Sequence, residues 1–157
     1  MRPSVRRDAN AGVAAVEFAI AAPILLMLAG AFADFGLAYQ TDARLAAAVS
    51  TGADYAFVQA QANGGAVSTT AVAAAVTAAL GLNGAHTNAS SPGLFCPSDA
   101  GSVTRLVPGT AGTACADGSF PGTYTTISVS YTYQPLMPLY SMLAPTTLSV
   151  SGTVRLQ

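Results

Sequence analysis

The longest apolar run in the chain, residues 13–33, carries a single charged side chain, the carboxylate of Glu17. As an α-helix these residues would be about 30 Å long, which is the thickness of the hydrocarbon core of a bilayer. The chain of 157 residues is 52% hydrophobic and only 8% charged, whereas soluble domains carry roughly a quarter charged residues. The sequence therefore predicts a membrane or envelope protein with one anchor and one small domain.

The charges are unevenly placed on the two sides of the apolar run. Arg2, Arg6 and Arg7 precede the run, and the charged residues that follow it are Asp34, Asp42, Arg44 and Asp54. Because positive residues flanking a span tend to stay in the cytoplasm, we expect a cytoplasmic N-terminus and a C-terminus on the other side of the membrane. The chain has no lysine and a net charge of −1, so it lacks the basic patch of a nucleic-acid-binding protein.

Three interpretations of the apolar run compete. In a secretory signal peptide, the A-x-A sequence at 31–33 would be the cleavage site, but the run is longer than the usual apolar region of such peptides and contains a charge. An uncleaved anchor helix explains the length and the arginines. It leaves Glu17 unexplained, since a carboxylate in the hydrocarbon costs on the order of 2.5–3.5 kcal/mol.

The third interpretation rests on the residues around Glu17. Gly12 is followed by four apolar residues and then by Glu17 and Phe18. This spacing resembles the processing site of type IV prepilins, and most closely the G-x-x-x-x-E-[FY] form of tight-adherence (Tad/Flp) pilins and pseudopilins. The resemblance implies that a prepilin peptidase cuts between Gly12 and Val13 and removes a basic leader, residues 1–12.

Such a cut would give Glu17 a partner. The new amine of Val13 would lie one helical turn from Glu17, and in a filament the amine of one subunit could meet Glu17 of its neighbour. A half-made ion pair in low dielectric is costly. Glu17 is therefore predicted to be an assembly contact that sets the register of packed subunits.

Helical periodicity continues beyond the apolar run, and an Asn-Gly-Gly sequence at 63–65 is a stop signal. We expect one helix over 13–62, with 13–33 in the membrane and 34–62 as its periplasmic extension. A second helix is predicted from about Ser68 to Leu82, capped at its start by a hydroxyl side chain. The apolar stripe of the extension comprises Phe35, Ala38, Leu45, Val49, Ala53, Ala56 and Phe57, with Asp42 as a polar exception.

Residues 83–122 are dense in Gly, Pro, Ser, Thr and Asn. We expect a loop there, with one short strand at 103–107 and with His86 exposed and without a special role. Cys96 and Cys115 lie in this segment. If it is exported, a disulfide between them is predicted; the alternative is two free thiols. Two cysteines and one distant histidine do not supply a zinc ligand set.

Two segments near the C-terminus alternate between apolar and small polar residues, "TYTTISVSYTY" and "TLSVSGTVRL". This period of two predicts strands with one apolar face. We expect them to pair as an antiparallel β-hairpin within 123–157 and to pack on the helices. Gly152 is predicted to mark a bulge or a close approach of helix to strand.

Between these strands lies an apolar segment with three prolines, residues 134–145, which we call the connector. Two interpretations stay open. The connector folds over the core, or it exposes an apolar patch to a partner or a membrane. The side chains concerned are those of Leu136, Met137, Leu139, Tyr140, Met142 and Leu143.

Most of the chain resembles TadE-like proteins. The resemblance rests on "VAAVEFAIAAPILLMLAGAFADFGLAY", on "RLAAAVSTGADYA" and on the closing strands around "YTYQPLMPL". It implies a TadE-like minor pilin or pseudopilin of the bacterial inner membrane, needed for assembly of a tight-adherence pilus. Its partners would be the prepilin peptidase and other pilins, with no cofactor and no small-molecule substrate. The fold class expected is α+β, with 63–157 forming a small extracytoplasmic domain.

An enzyme is not expected. The chain has one histidine, and no nucleophile with an adjacent base, acid pair or phosphate-binding loop can be placed. Neither catalytic residues nor a metal site are therefore predicted. The competing hypothesis is a membrane-anchored extracytoplasmic binding or adhesion module with an uncleaved signal anchor.

Overall fold

The structure is a computed structural model that describes residues 10–100 and 103–157. It confirms the α+β class: a long N-terminal helix, a short second helix and a small antiparallel sheet. The helices and strands, in chain order, are α1 (Asn10–Ala62), α2 (Thr69–Leu80), β1 (His86–Ala89), β2 (Gly93–Ala100), β3 (Val103–Pro108), β4 (Gly122–Thr132), α3 (Pro138–Leu143) and β5 (Thr147–Arg155).

Helix α1 runs without interruption for 53 residues, as its periodicity predicts. It ends at the Asn-Gly-Gly sequence, where Gly64 and Gly65 adopt φ values of 61° and 95°. Glycine reaches this left-handed region at no steric cost, so these two residues turn the chain out of the helix. Residues 1–9 of the predicted leader lie outside the described residues.

Helix α2 is closed at both ends by the residues that the sequence indicates. The Ser68 hydroxyl accepts a hydrogen bond from the Ala71 N–H at 3.3 Å, which satisfies one free donor of the first turn. Gly81 has a φ of 61° and donates its N–H to the Thr77 carbonyl at 3.2 Å. The helix ends at Leu80, two residues before the predicted end.

Segment 83–122 supplies three of the five strands. The predicted strand at 103–107 is confirmed as β3, whereas the prediction of a loop is wrong for β1 and β2. β1 and β2 pair in succession with one edge of β4, and β3 extends the sheet by pairing with β2. β1 has the sequence HTNA and β2 the sequence GLFCPSDA. Strand pairing uses main-chain hydrogen bonds that almost any side chain permits, so such polar, Gly- and Pro-containing strands give no alternating pattern. His86 lies in β1 rather than in a loop, and it is exposed.

The predicted pairing of the two C-terminal strands is confirmed. β5 runs antiparallel along the other edge of β4, from Tyr124 opposite Arg155 to Thr132 opposite Thr147. Every strand pair in the described residues is antiparallel. β4 is therefore the central strand of the sheet and not one arm of an isolated hairpin.

The chain forms two compact units, and the larger one comprises Gln40–Tyr133 with Thr146–Gln157. Its core joins the second half of α1 to α2 and the sheet. The buried residues are Leu45, Ala48, Val49, Ala56, Ala60, Val72, Val76, Leu80, Ile127, Val129 and Leu156. The predicted stripe is correct at Leu45, Val49 and Ala56 but wrong at Phe57, which is 45% exposed. Ala60 occupies the buried position one turn after Ala56 instead.

Two glycines bring backbones close together in this core. A Cβ placed at Gly52 would lie 2.3 Å from a methyl of Val76, so α1 and α2 touch there. A Cβ at Gly152 would lie 2.7 Å from a methyl of Val49, which confirms the predicted close approach of helix to strand.

In the described residues, the smaller unit joins residues 10–39 to Gln134–Pro145, the connector. The sequence placed the connector inside the domain at 63–157. The structure assigns it to the same unit as the apolar run of α1.

Candidate functional site

The first half of α1 is apolar on all sides and exposes this surface. The large apolar side chains from Val13 to Phe32 are each 51–76% exposed. A helix that is hydrophobic all round is stable when it lies in a protein core or in a membrane. Among the described residues, one helix, within Gly12–Ala62, is long and apolar enough to cross a membrane, and its most apolar window is not buried in the protein.

The predicted processing residues lie at the start of this exposed helix. Gly12, Val13, Glu17 and Phe18 are all exposed. A Cβ at Gly12 would meet nothing within 4 Å, so packing within the described chain does not require glycine at this position. Val13 and Glu17 are four residues apart on one helix face, a rise of about 6 Å.

A second carboxylate of α1 has a defined environment that the sequence analysis did not foresee. Asp34 is fully buried. Its Oδ1 accepts a hydrogen bond from the Leu136 N–H at 2.8 Å, and its Oδ2 accepts one from the Met137 N–H at 2.7 Å. Both donors lie immediately before α3, where Met137 is the N-cap residue and makes no side-chain cap. Asp34 therefore anchors the entry to α3 through two charge-assisted hydrogen bonds.

Apolar contacts hold the connector to α1 on both sides of this carboxylate. The Tyr140 ring lies 5.0 Å from the Phe35 ring, centre to centre, and Tyr140 is buried. A Cβ at Gly30 would lie 2.3 Å from the terminal methyl of Met137. Glycine at this position thus allows the methionine to rest directly on the helix backbone.

The connector does not fold over the core, because none of its described residues belongs to the core cluster and it packs on the apolar run of α1 instead. Tyr140 and, in part, Met137 face inward, whereas the other three described members of the predicted patch are exposed. The side chain of Leu139 lies outside the described residues. We call the exposed set the apolar patch: Leu136 at 74%, Met142 at 83% and Leu143 at 66% exposed.

The predicted disulfide is confirmed. Cys96 and Cys115 are bonded, with their Cα atoms 5.6 Å apart, and both side chains are buried. The bond attaches the loop after β3 to strand β2. Gly109 packs against the disulfide, since a Cβ at Gly109 would lie 3.3 Å from the Cys96 sulfur.

The remaining ionisable residues do not converge. In the part of the chain that the structure describes, no three residues of the types His, Cys, Asp and Glu are grouped to hold a metal ion. Asp117 accepts hydrogen bonds from the Ser119 hydroxyl at 2.7 Å and from the Ser119 N–H at 3.0 Å. These bonds lower the pKa of the Asp117 carboxyl below its ordinary value and order the turn beside Cys115.

Comparison with protein families finds a match for the N-terminal segment. Residues 12–54 match the TadE-like protein family. This TadE-like segment includes the predicted processing residues, among them Glu17, and it also includes Asp34. It includes neither cysteine and no residue of the connector. No curated protein and no solved structure matches the chain.

Over these residues, the match agrees with the family resemblance that the sequence motifs carry. Asp34 carries a signal that sequence reasoning could have used: it is the first charged residue after the apolar run, and it precedes Phe35 and Gly36 in the D-F-G close of that run. A carboxylate at the end of a span is by default a functional residue with a partner to be found.

Proposed function

We propose that this chain is a non-catalytic minor pilin or pseudopilin of a tight-adherence pilus, anchored in the bacterial inner membrane and required for pilus assembly. The observation that supports this most is the position of Glu17. It is the one charged residue of the exposed apolar run 13–33, one turn after Val13, within the TadE-like segment.

In the proposed maturation, a prepilin peptidase cleaves between Gly12 and Val13. The exposed position of both residues and the unfilled space around Gly12 are compatible with access by a protease. Cleavage removes the arginines of residues 1–12 and creates an amine on Val13. The cut thus replaces a basic leader by a single positive charge at the end of the helix.

The new amine and Glu17 would then govern assembly. Leaving a carboxylate unpaired in hydrocarbon costs on the order of 2.5–3.5 kcal/mol. Helices that slide past one another by a turn would separate the amine of one subunit from Glu17 of the next. The pair therefore penalises wrong registers more than it stabilises the right one.

The test compares Glu17→Gln with Asp42→Asn in cells that carry the other components of the pilus system. Both changes remove one negative charge from α1, and Asp42 is only half-buried and lies outside the apolar run. We expect Glu17→Gln to insert in the membrane at the normal level and to abolish pilus assembly, whereas Asp42→Asn assembles pili.

Normal pili with Glu17→Gln would contradict the proposed role of this residue. If surface binding persisted while pili were dispensable, the chain would instead be an anchored binding module.

A reporter enzyme fused after Gln157 tests the orientation. We expect a reporter that functions only in the periplasm to be active in this fusion. Activity of a reporter that functions only in the cytoplasm would contradict the predicted orientation.

A further inference from the structure

We propose that the connector is a second membrane-binding element, and that the apolar patch, Leu136, Met142 and Leu143, inserts into the outer leaflet of the bilayer beside the spanning helix. The occupant of this surface is thus lipid. The inference rests on the membrane-spanning role of α1 but not on processing or pilus assembly.

The first argument is depth. Met137 rests on Gly30, and a groove of about 320 Å3 nearby is lined by Met27, Met137, Pro138 and Met142. At 1.5 Å per residue, Gly30 lies about 26 Å along the helix from Val13, within a hydrocarbon core of about 30 Å. Asp34, on the same count, lies about 32 Å along, at the boundary. The connector therefore packs on the last turns of the span.

The second argument is the chemistry of the exposed surface. Residues 134–145 contain no charged side chain. The three members of the apolar patch are 66–83% exposed, and the part of α1 next to them is equally apolar. Exposed contiguous apolar surface marks a binding site. Because this surface is continuous with the exposed surface of the span, the same lipid that surrounds the span covers it.

The third argument is the supply of hydrogen bonds. Backbone groups that enter hydrocarbon must find partners within the protein. The three prolines of the connector have no N–H, and Asp34 accepts the N–H groups of Leu136 and Met137. The Tyr140 N–H bonds to the Met137 carbonyl, and the Ala144 N–H bonds to the Tyr140 carbonyl at 2.9 Å. The Ser141 hydroxyl bonds to the Pro138 carbonyl at 2.8 Å.

A short segment at the lipid boundary needs acceptors for its backbone N–H groups. A buried carboxylate that accepts two of them meets this need. In water these donors would be satisfied by solvent, and α3 would gain less from Asp34. The connector thus combines an apolar outer face with an anchored backbone, and it carries no charge that would have to be desolvated.

The chain contains no tryptophan, so single-tryptophan variants report on one position each. The full chain is reconstituted at low density in phosphatidylcholine vesicles, with or without lipids brominated on the acyl chains. Met142→Trp is the probe of the patch. Phe32→Trp is the reference within the span, and Phe120→Trp, at an exposed position of the larger unit, is the reference in water.

We expect Met142→Trp to be quenched by brominated lipid to an extent comparable with Phe32→Trp, and to be shielded from aqueous acrylamide. Phe120→Trp should show the opposite pattern. Leu143→Trp, on the same face, repeats the measurement in case Met142→Trp perturbs the fold.

The proposal would be overturned if brominated lipid and acrylamide quenched both patch probes to the same extent as they quench Phe120→Trp. Shielding from both quenchers that grows with the protein-to-lipid ratio would also overturn it, because a second copy of the chain would then cover the patch. The vesicles contain no peptidase and no other pilin. A negative result here therefore leaves the pilus proposal standing, and normal pilus assembly with Glu17→Gln, which would contradict the pilus proposal, leaves this one standing.

Discussion

Asp34 Oδ1 accepts a hydrogen bond from the backbone N–H of Leu136, 102 residues further along the chain, at 2.8 Å. This bond and its counterpart at Met137 join the end of the apolar run to the connector between the last two strands. They make one unit of two segments that are distant in sequence. The carboxylate at the end of the apolar run thus has a structural partner, as Glu17 near its start is proposed to have an assembly partner.

Replacement of Asp34 should loosen the connector without affecting the sheet. In Asp34→Asn, the amide NH2 faces a backbone donor, so one buried N–H loses its acceptor at a cost of about 1–3 kcal/mol. We expect faster hydrogen exchange at the amides of Leu136 and Met137 in nanodiscs, and unchanged exchange in β4. Asp42→Asn is the matched control on the same helix. Unchanged exchange at both connector amides would show that Asp34 does not hold this segment.

Gly52 should be intolerant of even a methyl group. The Cβ of Gly52→Ala would meet the buried Val76 methyl at 2.3 Å, and Val76 has no space to move because it is fully buried. Overpacking of this kind costs about 1–3 kcal/mol. Gly36→Ala, where the new Cβ has open space, should instead be neutral or stabilising. Thermal unfolding of the full chain in detergent distinguishes the two variants, and equal melting temperatures would contradict the packing described here.

Loss of the disulfide should destabilise the larger unit. Cys96 and Cys115 close a loop over a separation of 19 residues, for which chain entropy gives about 3 kcal/mol. We expect the double replacement of both cysteines by alanine to lower the free energy of unfolding by roughly this amount. Reduction of the wild-type chain should have the same effect. Intact mass after alkylation without reductant should show no modified thiol, and two modified thiols would exclude the bond in the protein as isolated.

The turn at Asp117 should weaken in acid. Because hydrogen bonds from Ser119 lower the pKa of Asp117 in the folded state, the ionised carboxyl contributes stability above its unfolded pKa. This contribution is lost as the pH falls through the lower, folded pKa. Carbon NMR titration of the side chain should place its pKa below that of the same residue in an unfolded peptide. Ser119→Ala, which removes the hydroxyl donor, should raise it, and no change in this variant would contradict the assigned cause.

The sequence predicts well those elements whose side chains alternate between two environments. α1, α2, β4 and β5 each have a core-facing side with the appropriate period, so their existence follows from the pattern. β1 is mostly polar, and β2 has its apolar residues in succession rather than in alternation. Both are held by main-chain pairing with β4, so no local pattern predicts them.

The candidate site shows the same division. Glu17 is conspicuous because its charge conflicts with its surroundings in sequence. The role of Asp34 depends on two backbone donors more than 100 residues away, and nothing local in the sequence brings these segments together. The environment of the connector could not be predicted for the same reason, because Met137 and Tyr140 face inward through contacts with Gly30 and Phe35, which are more than 100 residues away.

The measurement that tests the central claim most directly is the intact mass of the mature chain isolated from membranes of cells that carry the pilus system. The account predicts a chain that begins at Val13, as prepilin-peptidase cleavage after Gly12 requires. A chain that begins at Met1 would leave an uncleaved anchor and remove the amine partner of Glu17. A chain that begins at Asp34 would mean that the apolar run is a signal peptide, and it would contradict both the pilin proposal and the membrane-spanning role of α1.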